Sequence, residues 1–400
     1  MKDRPILHLA AGRDKSVLRR HPWIFSGAVK RVDGSPQEGD VVDVYNADGN
    51  WVAGGHYQNE TIMCKVLSFE HRNIDKAFWR ARLCSAIAYR KRLGLFNASS
   101  NNVFRLIHAE GDNMPGLVAD YYNGVVVCQA HSMGMYLILD ELSQLLADLF
   151  AADSDLPPLK AIFDKSSATL PSGGVEDHFI IGDAIDKWEI LENGNRIMID
   201  FYEGQKTGFF LDQRENCLLL QQMARGCRVL NCFGYTGGFS LAALRGGSSY
   251  VETVDISKKA IALCEENVLN NFGASAPHKG VVADVLQYLD SIGNDFDIMI
   301  LDPPAFAKRH SNLQQGLKGY RNINRKAMAH IKNGGLLFTF SCSQAVSRND
   351  FQTLCFTAAA EAHKQVRIVR MLPHAPDHPV SIYHPEGEYL KGLVLQVEDL

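Results

Sequence analysis

The 400-residue chain has no C-x-x-C pair among its nine cysteines and no net excess of basic charge. It also has no apolar run near the roughly 20 residues that a membrane helix needs. An odd number of scattered cysteines argues against a disulfide framework, and the missing pairs argue against a zinc ribbon. Both point to a reducing compartment, so a cytoplasmic protein is expected. The stretch Met1 to Ala10 is too short and too interrupted for a secretory signal. Lys and Arg number 41 against 45 Asp and Glu, a net charge of −4, so any nucleic-acid surface must be local. Apolar residues at 46% and charged residues at 22% describe an ordinary globular protein and exclude disorder, collagen and coiled coil. No internal repeat is present, and the length suggests two or three domains at about 150 residues each.

What is present changes along the chain. Val41 to Tyr45, Trp51 to Gly55 and Thr61 to Leu67 read as short strands between Gly and Asn turns, which suggests a small β-barrel or sandwich. The first 30 residues are locally basic, with seven Lys or Arg against Asp3 and Asp14. Ile74 to Leu95 reads as a helix, Val103 to His108 and Val118 to Ala130 as β structure, and Met135 to Phe150 as a helix. Ser166 to Gly174 reads as a loop, and Asn193-Gly194 centres a hairpin within Ile190 to Phe201. From Leu211 helices and strands alternate: helix Asp212 to Ala224 with Gly226 as a C-cap, then strand Arg228 to Cys232. Helix Phe239 to Arg245, strand Tyr250 to Asp255 and a helix capped by Ser257 follow, with strands at Gly280 to Val282, Phe296 to Leu301 and Gly335 to Phe340. This is the pattern of an open, mostly parallel α/β sheet. Val366 to Met371 and Leu390 to Val397 have no helix between them, so antiparallel pairing would make the sheet mixed.

Four motifs in this half carry chemistry. Cys232, Phe233, Gly234, Tyr235, Thr236 and Gly237 form a Gly-rich turn between a strand and a helix, where a ligand can lie against bare backbone. Asp255, at the end of the next strand, can accept hydrogen bonds from ribose hydroxyls. The turn lacks the G-x-G-x-x-G spacing that approaches a pyrophosphate, which favours S-adenosyl-L-methionine (AdoMet) over a dinucleotide. Asp284 follows the third strand and reads equally as an adenine contact or a helix cap. Asp302-Pro303-Pro304 follows an apolar strand, and its stiff prolines present Asp302 at the carboxyl end of the sheet. Cys342, between Ser341 and Ser343, ends a later strand on the same rim. Carbon 5 of a pyrimidine takes a methyl group only after a thiolate has added to carbon 6, so a cysteine is what that reaction needs.

Charge adds a fifth observation. From Pro303 to Asn349 there is no Asp or Glu, but there are Lys308, Arg309, Lys318, Arg321, Arg325, Lys326, Lys332 and Arg348, with His310 and Tyr320 among them. That reads as a phosphate-binding surface beside the site. Cys64, Cys84, Cys128, Cys264 and Cys355 read as core. His374, His378 and His384, among prolines, read as surface or RNA-facing, and no metal site is expected.

At these residues the chain resembles the large-subunit ribosomal RNA cytosine-C5 methyltransferases, in the bacterial branch with an N-terminal PUA domain. The resemblance is carried by Cys232 to Phe239, Asp302-Pro303-Pro304, Phe340 to Ser343 and Asp377-His378-Pro379-Val380. Leu18 to Ala28, Gly111 to Leu117 and Gln205 to Arg214 add to it. It implies an α/β protein: a class I Rossmann-like AdoMet methyltransferase over 191–400, an N-terminal β-rich PUA domain that binds RNA over 1–72, and a central α+β domain over 73–190. It implies Cys342 as nucleophile and Asp302 as the residue that hydrogen-bonds the base or helps protonate it. It implies a cofactor site of residues 232–237, Asp255, Ile256, Asp284 and Asp302, covered by Lys206, Thr207, Phe209 and Gln213. Arg19, Arg20, Lys308, Arg309, Lys318, Arg321 and Arg325 would then contact RNA. Large-subunit ribosomal RNA or its precursor particle is the expected partner; no membrane is expected, and a homodimer is open.

Two departures stand out. Many family members have Lys where this chain has Ala305, and no second cysteine sits beside Pro303-Pro304, so another group or water must take the carbon-5 proton. Methylation of an exocyclic nitrogen remains an alternative, although Ala305 separates the prolines from Phe306. An RNA-binding assembly factor that holds AdoMet without turnover is a second alternative, and a dinucleotide oxidoreductase a distant third.

Overall fold

Unbroken apolar runs bounded by turns are what strands covered on both faces require. Ile298-Met299-Ile300-Leu301, wholly buried, is the clearest such run. The structure is a computed structural model and describes residues 4–170, 175–307 and 310–400. Lys308, Arg309 and the end of the expected 166–174 loop lie outside the described residues. The chain forms two units: residues 1–190, 199–209 and 376–387 make the first, and residues 191–198, 210–375 and 388–400 the second.

The second unit is built on a seven-stranded sheet. Its strands are β1 (Arg228–Cys232), β2 (Tyr250–Asp255), β3 (His278–Val282), β4 (Ile298–Leu301), β5 (Gly335–Ser341), β6 (Lys364–Leu372) and β7 (Lys391–Asp399). Their spatial order is β3-β2-β1-β4-β5-β7-β6. The first five are parallel, and β7 runs antiparallel between β5 and β6, the mixed sheet expected from sequence. The helices are α1 (Arg214–Met223), α2 (Gly238–Arg245), α3 (Lys258–Phe272), α4 (Val285–Leu289), α5 (Leu313–His330) and α6 (Arg348–Glu361). Helix α3 starts where Ser257 accepts from the Ala260 N–H, and α6 starts with a capping box between Ser347 and Asp350. Helix α1 ends at Met223, so Gly226 is a left-handed turn residue beyond the helix end, not the cap itself.

A polar chain crosses the sheet inside its apolar core. Asn231 donates to Ser240 at 2.9 Å, Ser240 and Thr253 share a hydrogen bond at 2.6 Å, and Thr253 meets His278 at 2.7 Å. Burial pushes His278 down to about 4, so its ring is neutral.

The first unit holds two sheets. A six-stranded sheet over residues 6–68 encloses Leu7, Leu9, Val42, Val44, Cys64 and Val66. A five-stranded sheet, from Val103–His108 to His178–Ile181, packs against helices Lys76–Arg92 and Leu139–Ala152. Fully buried Arg90 donates to Asp112 at 2.6 Å, and to the carbonyls of Arg105 and Asp377 at 2.7 and 2.6 Å. Arg105 forms a fork with Asp120 at 2.5 and 3.0 Å, while its backbone N–H donates to Asp377 at 2.8 Å. These bonds fasten residues 376–387 within the first unit. His378 and His384 are 1% and 3% exposed, which corrects the surface reading: His378 meets Asp377, and the His384 ring lies 4.3 Å from that of Trp23. Cys84 is exposed rather than core. Among the described residues no helix is long and apolar enough to cross a membrane.

Candidate active site

The turn after β1 is held in a conformation that most side chains avoid. Phe233 and Tyr235 have φ of 58° and 47°, and Gly237 has φ of 92°. A Cβ at Gly234 would meet Thr253 Cγ2 at 2.3 Å, and one at Gly237 would meet Cys264 Sγ at 2.5 Å. Two non-glycine residues in the left-handed region mark a strained turn of the kind that clusters at ligand sites. Asp255 braces it, accepting from the Tyr235 N–H at 3.0 Å and the Ser257 N–H at 2.8 Å. Asn267 holds the Thr236 carbonyl at 3.2 Å, while the buried Thr236 hydroxyl has no protein partner. Cys232 is a core side chain, so only its backbone takes part in the turn.

Beside Asp255 stand two exposed apolar side chains, Ile256 at 73% and Val282 at 51%. Val282 pairs with Asp255 across β2 and β3, so both lie at the carboxyl edge of the sheet. Asp284 is exposed and caps α4 through the Gln287 N–H at 3.1 Å. A braced acid, bare backbone and a raised apolar edge fit an adenosyl group: the ribose at Asp255, the adenine at Ile256 and Val282, the remainder along the 233–237 turn. Gln213 is buried; its Oε1 accepts from Asn216 at 2.6 Å, and its Nε2 has no protein partner.

Three of the expected covering residues, Lys206, Thr207 and Phe209, belong to the first unit. Thr207 is wholly buried; its hydroxyl donates to Asp120 at 2.5 Å and meets the Tyr122 hydroxyl at 2.8 Å. The Phe209 N–H donates to that same Tyr122 hydroxyl at 3.3 Å, and the Lys206 carbonyl accepts from Gln129 at 3.2 Å. The Thr207 hydroxyl therefore takes its partners from within the first unit.

Cys342 meets the segment directly after Asp302. Leu301 lies between Cys232 and Thr339 in register, which sets Asp302 between the turn and the end of β5. The Cys342 thiol donates to the Pro303 carbonyl at 3.8 Å and is half-buried. The flanking serines are buried, and Ser343 Oγ is held by the Ala307 N–H at 3.1 Å and the Tyr320 hydroxyl at 2.9 Å. Tyr320 also meets the Phe306 ring at 4.7 Å between centroids, so Phe306 is packed rather than free to lie over a base. Asp302 acts on α1 as well: burial first, then the charges of Glu192 and Asp302, raise the Cys217 thiol well above its ordinary value.

Sequence reasoning missed Lys391. This buried lysine opens β7 and donates to the Ser343 carbonyl at 2.7 Å. The only sequence signal was a lysine at the head of an apolar strand. The acid-free basic run is also less positive in space than in sequence. Arg321, Lys326, Lys332 and Arg348 pair with Glu361, Asp290, Asp297 and Glu388. Lys318 is exposed, and Arg325 bonds Asn322 at 3.1 Å. In the first unit, Arg19 and Arg20 are exposed.

Comparison with known proteins gives the family and the fold. Residues 105–387 match the family described as S-adenosylmethionine-dependent methyltransferase, and residues 7–69 match the PUA-like domain. A curated relative from Aeromonas hydrophila, named ribosomal RNA large subunit methyltransferase I, is 37% identical over 98% of both chains. One of the same name from Vibrio vulnificus is 37% identical over 98% of this chain and 99% of its own. A solved Streptococcus mutans structure described as a SAM-dependent methyltransferase superposes with a TM-score of 0.83 at 21% identity, covering 98% and 99% of the two chains. A second, described as a methyltransferase complexed with SAH, gives the same score and coverage. The chain belongs to the S-adenosylmethionine-dependent methyltransferases, in the PUA-bearing group that includes the proteins named ribosomal RNA large subunit methyltransferase I.

Proposed function

We propose that this protein forms 5-methylcytosine in large-subunit ribosomal RNA, with Cys342 as covalent nucleophile. The observation that carries the reading is the meeting of Cys342 with the carbonyl of Pro303, directly after Asp302, on the rim that also bears the 233–237 turn. AdoMet, when bound, supplies an electrophilic methyl group. The chain's own part is to activate the base. The Cys342 thiolate adds to carbon 6, the electron pair moves toward carbon 5, and Asp302 hydrogen-bonds the ring as charge builds. After carbon 5 is methylated, water or another group takes its proton, that C–H pair re-forms the ring double bond, and the sulfur–carbon bond breaks to return the thiolate. A cytosine must leave its stack to reach the rim.

The relatives' names support ribosomal RNA of the large subunit, as naked RNA or a precursor particle. Arg19, Arg20, Lys318, Arg321 and Arg325 are the proposed phosphate contacts, and Lys206 and Gln213 remain proposed cofactor neighbours. The cytoplasm is the proposed location. A homodimer would use the edge strand β6, where Ile368, Val369 and Met371 are exposed beside Phe356 at 74%; light scattering in solution decides that point.

The test is methyl transfer from labelled AdoMet to unmodified large-subunit RNA, with the product digested to nucleosides. 5-methylcytosine is expected, and Cys342→Ala is expected to lose at least about a thousandfold in transfer while AdoMet binding stays intact. A nitrogen-methylated base, or an active Cys342→Ala, would install the exocyclic-nitrogen reading instead. AdoMet binding without methylation of RNA or particle would favour the assembly factor.

A further inference from the structure

Lys391 faces Ser341 in the antiparallel pairing of β7 with β5, one residue from Cys342. It is 2% exposed. Its ammonium donates to the carbonyls of Ser343 at 2.7 Å and Tyr389 at 2.8 Å. An ammonium has three donors, so two carbonyls leave one N–H unspent.

A buried ammonium is costly unless an anion accompanies it. Among the described residues no carboxylate pairs with Lys391. Glu388, three residues before it, is bonded by Arg348, and Asp212 is bonded by the Tyr389 hydroxyl at 2.7 Å. Cys342, next to Ser341 opposite Lys391, is then the leading group to balance the charge, with Glu388, already bonded by Arg348, second. We propose that Lys391 is a positioning residue: its ammonium holds Cys342 as a thiolate and fixes the Ser343 carbonyl just after the sulfur. The inference rests on the reading of Cys342 as nucleophile and adds how the thiol is activated.

The electrostatics run in the same direction. Burial pulls Lys391 down to about 8, the charges of Cys342 and Glu388 push it back up, and Arg348 opposes them. Coupling between two titrating groups is reciprocal, so the ammonium favours the thiolate as much as the thiolate favours the ammonium. The surroundings contributed by α5 are neutral here: Tyr320 bonds Ser343, and burial raises its phenol.

The experiment is alkylation of the intact protein with iodoacetamide across pH, read by mass spectrometry at the Cys342 peptide. Exposed Cys84 is the reference in the same molecule, and buried Cys232 and Cys355, in the same unit as Cys342, stay unlabelled while that unit is intact. Wild-type Cys342 is expected to titrate below Cys84. Lys391→Met and Lys391→Gln are each expected to raise the Cys342 midpoint by about one pH unit, roughly tenfold slower labelling near pH 7, and to leave Cys84 unmoved. Gln can still donate to the Ser343 carbonyl without carrying charge. If Lys391→Gln labels like wild type, the charge has no role and the proposal falls; this variant decides the matter where Lys391→Met exposes Cys232 or Cys355. If Lys391 proves silent while Cys342→Ala still abolishes transfer, only the activation is wrong. If Cys342→Ala transfers normally, the underlying reading is wrong whatever the labelling shows.

Discussion

Asp255 illustrates why a single residue can be read from sequence and still hold more than sequence tells. Its place at the end of a strand, after a Gly-rich turn, marked it as a ribose ligand. The structure adds that its two oxygens accept the Tyr235 and Ser257 N–H groups and hold the turn in its strained form. Asp255→Ala should therefore loosen the turn and remove the ribose contact together. We expect AdoMet affinity to fall at least about tenfold by calorimetry, with little change in melting temperature, because the residue lies at the exposed end of the sheet. Thr207 is the opposite case. The family resemblance implies that its segment covers the cofactor, and the structure adds that Asp120 and Tyr122, from a strand more than eighty residues earlier, take its hydroxyl. Lys391 was hidden for a similar reason, since only the antiparallel register brings it opposite Ser341.

At the scale of elements, the parallel strands, their helices and the terminal antiparallel pair were legible because each is a local pattern of apolar spacing and caps. The fate of residues 376–387 was not. A loop of prolines and histidines between two strands looks exposed, yet Asp377 and His378 are fully covered in the first unit. The close approach is set by Gly111, where a Cβ would lie 1.8 Å from the Pro379 carbonyl. Gly111→Ala forces this segment away and strands Asp377 from the Arg105 N–H. The expected cost is on the order of 3 kcal/mol, measured by urea unfolding, since a buried charge loses its partners. The acid-free basic run teaches the same lesson, because α6, the α4 end and other segments supply the missing carboxylates.

Across the whole molecule, buried His56 and half-buried His278 shape the response to acid. Burial, with the Lys65 charge next, lowers His56 to about 4, and burial alone lowers His278 to about 4, from an ordinary 6.5. Below pH 6.5 the unfolded chain takes up protons that the folded chain refuses. Stability is therefore full above 6.5 and is lost as pH falls toward 4, by up to about 1.4 kcal/mol per pH unit for each ring. Chemical unfolding at steps between pH 7 and 4.5 should show a falling midpoint; a flat profile would mean that these rings already carry a proton in the fold.

The account turns on whether Cys342 bonds covalently to a cytosine. The most direct measurement is incubation of the protein and AdoMet with large-subunit RNA that carries 5-fluorocytidine. Fluorine at carbon 5 cannot leave as a proton does, so a methylated adduct stays attached to its nucleophile. We predict a denaturant-stable protein–RNA complex whose digest places the base on the Cys342 peptide, and no complex with Cys342→Ala. Methyl transfer to the unsubstituted RNA without any trapped complex on the fluorinated one, or a trapped base on a different residue, would contradict it.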